Sequence, residues 1–382
     1  MPASITVSSI KIYSTIFMER KTDNRRSILI AVTSDLTTDQ RVLKIADTFH
    51  LEDWQVLLVG RLLPTSKEFS SPYRHQRMKL VFRTGFLFYF EFTIRLFFKA
   101  LFTSFDYIYA NDTDTLPACY AVSIIRRKKL IFDAHELFPE VPELQNRPFV
   151  KKVWQLIEQL IIPRLTRTLT VCESIADWYK QQYGIDMKVV RNMPYLRRQA
   201  DVIPLPVDKS KKIILYQGAL NTGRGLEWVI DAMPQVENAV LYIIGDGDVK
   251  EQLKQQVEKL QLSDRVIFHG KVNAADLHRY TPSADLGLCL LENKGISYFY
   301  ALPNRIFDYL HAGIPVLASP FPEIKKIVET HQTGVLTDDH SPEMLASLIN
   351  TILKEGYPTA HFKQLAVQFC WEKEKSKLLE LI

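Results

Sequence analysis

A chain of 382 residues exceeds what one hydrophobic core usually organises, so two domains are expected. With 47 % hydrophobic and 24 % charged residues, 14 Gly and 19 Pro, the composition excludes global disorder and leaves enough apolar material for two cores. The net charge of +5 hides an asymmetry: residues 1–200 hold 29 Lys and Arg against 20 Asp and Glu, a net of +9, and residues 201–382 hold 19 against 23, a net of −4.

A basic first half points to an anionic contact there, whether a membrane surface, a lipid diphosphate or a nucleic acid; scattered solvated charge is the plain alternative. The basic residues are dispersed and no recognition module is visible, which ranks nucleic acid last. The cysteines, Cys119, Cys172, Cys289 and Cys370, form no CxxC pair, so neither a zinc site nor a disulfide framework is indicated and a reducing cytosol is expected. Residues 1–26 lack the continuous apolar core of a signal peptide and read as a flexible tail.

The first half alternates short apolar runs with longer amphipathic ones. Strands are predicted at 28–32, 55–59, 79–82, 107–110, 130–132, 168–171 and 188–190, with helices at 41–49, 87–103, 116–125, 150–161 and 174–183. Such alternation implies a parallel sheet with right-handed crossovers. The helix at 87–103 belongs to the stretch GFLFYFEFTIRLFFKALFTSF (85–105). Its Glu91, Arg95 and Lys99 recur every four residues on one face, too many charges for a lipid-exposed span. It reads as an amphipathic helix with a wide aromatic face. That face is either buried against the first sheet or rests on a membrane or a lipid-linked acceptor.

Residues 192–212 carry three prolines without helical period, and 196–212 is read as the interdomain linker between domains at 27–195 and 213–360. The alternation then restarts, with strands at 213–216, 240–244, 266–268, 286–290 and 316–318. Helices are predicted at 226–233, 249–260, 274–280, 304–311, 323–329 and 343–354. A last polar helix, 361–382, is expected to pack back toward the first domain. Two such sheets face a cleft, and the residues just after strands hold the chemical interest.

After the first strand, TSDLTTDQR (33–41) has no glycine and is no dinucleotide turn; Asp39 or Thr38 suits the cap of the next helix. NDTD (111–114) carries a DxD spacing but reads better as a helix start than as a metal site. DAHE (133–136) places His135 at a strand's carboxyl end between carboxylates, where it can be held in one tautomer with a ring nitrogen to the cleft. QGALNTGRGL (217–226) follows a strand and opens a helix. There Gly218 permits close backbone approach, the helix N-terminus offers unpaired amides and Arg224 adds a bidentate cation, which together suit a diphosphate. GDGD (245–248) reads as a tight turn, and main-chain groups of HGK (269–271) can meet the edge of a base. In LPNRIFDYLHAGIPV (302–316), Asn304 and Arg305 open a helix beside a phosphate, and Asp308, one turn on, suits a ribose hydroxyl pair.

These residues resemble the retaining glycosyltransferases of family 4, which have the GT-B fold: two Rossmann-like domains whose parallel sheets face a central cleft. The resemblance runs from about residue 27 to the end, and is carried by DAHE (133–136), VVRNMP (189–194), GALNTGRGL (218–226), VIFHG (266–270) and LPNRIFDYLHAGIPVLAS (302–319). It implies a donor nucleotide on the second domain and an acceptor on the first. Arg224 takes the place of the diphosphate-binding lysine, Asp308 that of the ribose-binding second carboxylate of E-x7-E, and His135 that of the histidine contacting the transferred sugar. No metal and no cofactor are implied; the substrate is a UDP- or GDP-sugar. Tyr300 stands where the first glutamate of E-x7-E falls, and Ala219 where an arginine usually follows the donor-loop glycine. The pattern is similar to an LPN(K/R) subgroup associated with bacterial capsule, exopolysaccharide and lipopolysaccharide assembly.

The expected function is metal-independent retaining transfer of a sugar to a glycan or lipid-linked hydroxyl, in the cytoplasm or peripherally at the inner face of the membrane. The alternatives are a non-catalytic GT-B subunit that binds nucleotide or partner, and a nucleotide-sugar 2-epimerase of the same fold.

Overall fold

A computed structural model describes residues 25–197 and 201–382. The expected tail at 1–26 therefore lies almost wholly outside the described residues.

The first sheet comprises β1 (Ser27–Asp35), β2 (Gln55–Leu62), β3 (Arg74–Lys79), β4 (Tyr107–Asn111), β5 (Lys129–Ala134), β6 (Thr168–Thr170) and β7 (Lys188–Val189). Its order is β3-β2-β1-β4-β5-β6-β7, parallel throughout. The second comprises β8 (Lys212–Gln217), β9 (Ala239–Ile244), β10 (Val266–Gly270), β11 (Leu286–Cys289), β12 (Val316–Ala318) and β13 (Gly334–Leu336), in the order β10-β9-β8-β11-β12-β13 and again parallel. Helices cover both faces of each sheet, so central strands such as Tyr107–Asn111 and Ala239–Ile244 are buried along their whole length. In each sheet the winding reverses beside the first strand, between β1 and β4 and between β8 and β11, and a crevice opens at the carboxyl ends there. This is the expected α/β architecture of two Rossmann-like domains.

Several elements differ from the sequence expectation. The run 79–82 is no strand: β3 ends at Lys79, and the backbone amides of Val81 and Phe82 donate to Glu91 of the helix Gly85–Leu101. A short apolar run alone does not distinguish a strand from a loop pinned by a carboxylate. The strand Gly334–Leu336, only three residues long, was not expected.

The expected terminal helix is two helices, Phe362–Gln368 and Trp371–Leu379, broken at Cys370, which is extended. The break lets Trp371 enter the first domain, where its Nε1 donates to Thr48 Oγ1 at 3.0 Å. Farther on, Tyr107 Oη donates to the Ile382 carbonyl and Arg167 Nε to that of Leu381. The domains also meet where Glu323 Oε1 accepts from the backbone amide and hydroxyl of Ser174 at 2.8 and 2.7 Å, capping the helix Glu173–Tyr183 from across the interface.

The helix Gly85–Leu101 follows neither simple reading of its sequence. Phe88, Phe92, Leu96 and Ala100, at spacing four, are buried against the first domain. Its other faces leave Phe86 70 %, Phe90 55 % and Phe98 52 % exposed, with Phe102 beyond the helix end at 82 %. Among the described residues no helix is long and apolar enough to cross a membrane.

Candidate active-site cleft

The carboxyl ends of the two sheets enclose a cleft of about 530 Å³. On the first wall, β5 delivers Asp133, which is fully buried. Arg41, in the first turn of the helix Gln40–Leu51, clasps both its oxygens at 2.8 Å, and Tyr109 Oη donates to Oδ2 at 2.6 Å. Asp39 caps that helix through the Val42 amide, as its position suggested. Burial alone would raise the Asp133 pKa, but Arg41 and His135 hold it below the usual carboxylate range.

His135 lies between two carboxylates, with Nε2 at 3.1 Å from Asp133 Oδ2 and Nδ1 at 3.2 Å from Asp112 Oδ2. The sequence expectation of one tautomer with a free nitrogen is thereby corrected. Both ring nitrogens are engaged and, against the effect of burial, Asp112 and Asp133 lift the imidazole pKa well above its ordinary value. The ring lines the cleft.

Asp112 adopts φ 64° and also accepts from the His135 amide at 2.8 Å. Its neighbour Asp114 does not cap a helix: it is buried and accepts from Thr33 Oγ1. Burial and the field of Asp112 push the Asp114 pKa up to about 7. The following helix begins after Thr115 without a side-chain cap.

The second wall is organised around Gly218. It has φ 134°, a conformation that favours glycine, and a Cβ there would stand 3.2 Å from Arg305 Nη2. Arg305, which is 8 % exposed, lies over the Tyr216 ring at 4.4 Å, and its Nη1 is buried without a hydrogen-bond partner among the described residues. Arg224 lies over the Tyr298 ring at 4.9 Å, with Nε likewise buried and unmatched. Asn304 precedes the helix Arg305–Ala312, whose first turn has no side-chain cap. The glycines of 245–248 are explained by packing: a Cβ on Gly245 would meet the Gly218 carbonyl at 1.9 Å, and one on Gly247 the Leu220 carbonyl at 2.5 Å.

Of the six residues singled out from sequence, His135, Arg224 and Asn304 line the cleft. Gly218 and Arg305 form the layer behind it. Asp308 turns elsewhere: Gln217 Nε2 donates to its Oδ2 at 2.9 Å, and its field reaches Lys44 of the first domain. Burial raises the Asp308 pKa, and burial lowers that of Lys44 to about 8. Tyr300, in the place of the usual glutamate, packs against the first domain's core, and its carbonyl accepts from Cys172 Sγ. Sequence reasoning missed Arg41, Asp133 and Tyr109 as a unit; the available signal was an aspartate two residues before His135 on a buried strand.

Two family profiles match the chain in tandem: Glycosyltransferase Family 4 over residues 40–194 and Glycosyl transferases group 1 over residues 198–368. The chain is 24 % identical over 297 residues to a chitobiosyldiphosphodolichol beta-mannosyltransferase of Candida albicans, a match spanning 69 % of this chain and 64 % of that relative. Sucrose-phosphate synthase from Thermosynechococcus elongatus superposes with a TM-score of 0.76 at 17 % identity, covering 94 % of this chain and 98 % of that one. Anabaena HepE in complex with UDP-glucose superposes at 0.69 with 20 % identity, covering 93 % and 98 %. With both profiles matched in sequence order and two parallel sheets facing one cleft, the chain belongs to the family 4 type of glycosyltransferases with the GT-B fold, and it spans about two thirds or less of the curated relatives it matches first.

Proposed function

We propose that the chain transfers a sugar from a UDP- or GDP-sugar to a hydroxyl of a glycan or lipid-linked acceptor, with retention of anomeric configuration, in the assembly of a bacterial surface polysaccharide. One observation carries the reading: Arg305, beside the Gly218 turn, and Arg224, on the cleft wall, each have a buried N–H with no partner among the described residues. A buried cation with spare donors is costly unless an anion completes it, and a departing nucleoside diphosphate supplies that anion. The two arginines and the open first turn at Asn304 neutralise the leaving group without a divalent cation. His135, with both ring nitrogens engaged by Asp112 and Asp133, positions the sugar. Asp308 reaches the ribose only by releasing Gln217. The Candida relative is named for a lipid-diphosphate acceptor, which supports an acceptor of that class here. The exposed aromatic face of the helix Gly85–Leu101, on the basic half of the chain, supports transfer at the cytoplasmic face of a membrane.

The test is a panel of nucleotide sugars screened for thermal stabilisation, followed by turnover and by NMR of the product anomer. Stabilisation by one donor, EDTA-insensitive transfer and a retained anomer are expected. Binding without turnover, or interconversion at sugar C2, would replace this reading by the non-catalytic subunit or the epimerase. Liposome co-sedimentation checks the membrane placement.

A further inference from the structure

A second cavity of about 370 Å³ opens at the carboxyl ends of β2 and β3, away from the donor wall. Three cations line it, Arg61, Lys79 and Arg83, together with Leu63, Leu80 and Phe82. Arg61 is held in place: its guanidinium lies over the Phe88 ring at 4.6 Å and its Nη1 donates to the Arg83 carbonyl at 3.2 Å. Its Nε is buried with no hydrogen-bond partner among the described residues.

The carboxylates in the neighbourhood are committed elsewhere. Glu91 accepts from the Val81 and Phe82 amides and pairs with Arg95 at 2.7 Å, while Asp35 accepts from Ser66 Oγ and the Thr37 amide. The cavity is therefore a cationic recess with an open donor. The same Glu91 contacts fix its lip, so the recess is built into the fold.

Its mouth is apolar. Val81 is 73 % exposed and Phe82 43 %, and they continue onto Phe86 at 70 % and Phe90 at 55 % along the adjoining helix. A recess for an anion that opens onto an aromatic track fits a ligand with a charged head and a long apolar tail.

The position suits an acceptor. Arg61 pairs in register with Asp35 on β1, and Ser34 beside it lines the donor cleft. Neighbouring strands lie only about 4.8 Å apart. The recess and the donor cleft therefore open beside neighbouring strands.

We propose that this cavity seats the phosphate of an amphipathic lipid, whose chain runs over Phe82, Phe86 and Phe90. The proposal rests on the lipid-linked acceptor reading above and gives that acceptor a specific anchor. The shared chemistry is a lipid phosphate, whether the acceptor's own or that of a bulk anionic lipid.

The experiment titrates farnesyl diphosphate into the full chain by calorimetry, beside the double variant Lys79→Ala/Arg83→Ala. Both replaced side chains are exposed and outside the donor wall, so the thermal midpoint and nucleotide-sugar hydrolysis stay as in the parent. Binding at least tenfold weaker in the variant is expected, and inorganic pyrophosphate is expected to bind the parent at least tenfold more weakly than farnesyl diphosphate. Equal affinity in parent and variant would overturn the proposal, because the probe would then sit elsewhere, for instance against Arg224 and Arg305. Equal affinity for pyrophosphate would overturn the lipid part. Displacement of the probe by phosphatidylglycerol vesicles assigns the phosphate to bulk lipid, and resistance to them assigns it to a prenyl-type carrier. Failure here leaves donor hydrolysis intact, so it is distinguishable from failure of the transferase reading.

Discussion

The two walls of the cleft solve opposite electrostatic problems. On the first wall the charges around His135 are paired with one another: Arg41 grips Asp133, Tyr109 adds a hydroxyl, and His135 spans Asp133 and Asp112. On the second wall Arg224 and Arg305 lie over aromatic rings and keep N–H groups unmatched among the described residues. A closed network fixes geometry before any ligand arrives, whereas an open pair of cations reserves its interaction energy for one. The difference assigns shape to the first wall and charge stabilisation to the second.

Breaking the closed wall is expected to have the largest effect, and on stability. Asp133→Asn leaves the buried Arg41 without its carboxylate, a change that typically costs about 3–5 kcal/mol. Hydrogen exchange on the β4 and β5 amides should speed up accordingly, while the second domain stays protected. If the first domain kept its protection, the network would be ornamental.

The open wall should fail differently. Arg305→Ala is expected to lower kcat by about 10²- to 10³-fold, with melting unchanged or improved, because a buried unmatched charge is removed. Arg224→Ala, at the more solvated edge, should lose about 10- to 100-fold, the worth of one or two charge-assisted hydrogen bonds. Both effects are read in the donor hydrolysis assay, and full activity in both variants would remove the second wall from the mechanism.

The smallest effect sharpens the comparison from behind the first wall. Glu158 is fully buried and accepts from Thr113, Tyr179 and Tyr183. Burial pushes its pKa up to about 7. The folded chain thus holds a proton that the unfolded chain releases near pH 4.5, so this group's contribution falls as pH rises from about 4.5 to about 7 and is level above that. Asp114, also near 7, acts in the same sense. Glu158→Gln should flatten the dependence of melting temperature on pH across that window, gaining at most about 3 kcal/mol on the alkaline side. An unchanged slope would show that Glu158 ionises normally.

Much of the fold was legible because parallel strands buried on both faces leave continuous apolar runs, as at 107–110 and 240–244. The places that failed have physical reasons. Residues 79–82 form a short apolar run like a buried strand's but are drawn away by Glu91, and residues 334–336 are too few to carry a pattern. The site was legible as residue types after strands, not as contacts. Arg41 and Asp133 stand 92 residues apart, and only the sheet order β1-β4-β5 brings them together. Nor does sequence reveal which way a side chain turns: Asp308 faces Gln217 and Lys44, and Tyr300 faces the opposite domain.

The return of Trp371 to the first domain has a consequence for how the polypeptide is made. Trp371 and Leu378 are buried among Phe49, Trp54 and Tyr73, and Trp371 bonds a partner 323 residues earlier. At synthesis rates of about 5–20 residues per second, that partner waits on the order of 16–65 s on the ribosome before Trp371 is made. Throughout that interval an apolar groove over the helix Gln40–Leu51 stays uncovered, inviting chaperones or a neighbouring nascent chain. The first domain to emerge is therefore the last to be finished.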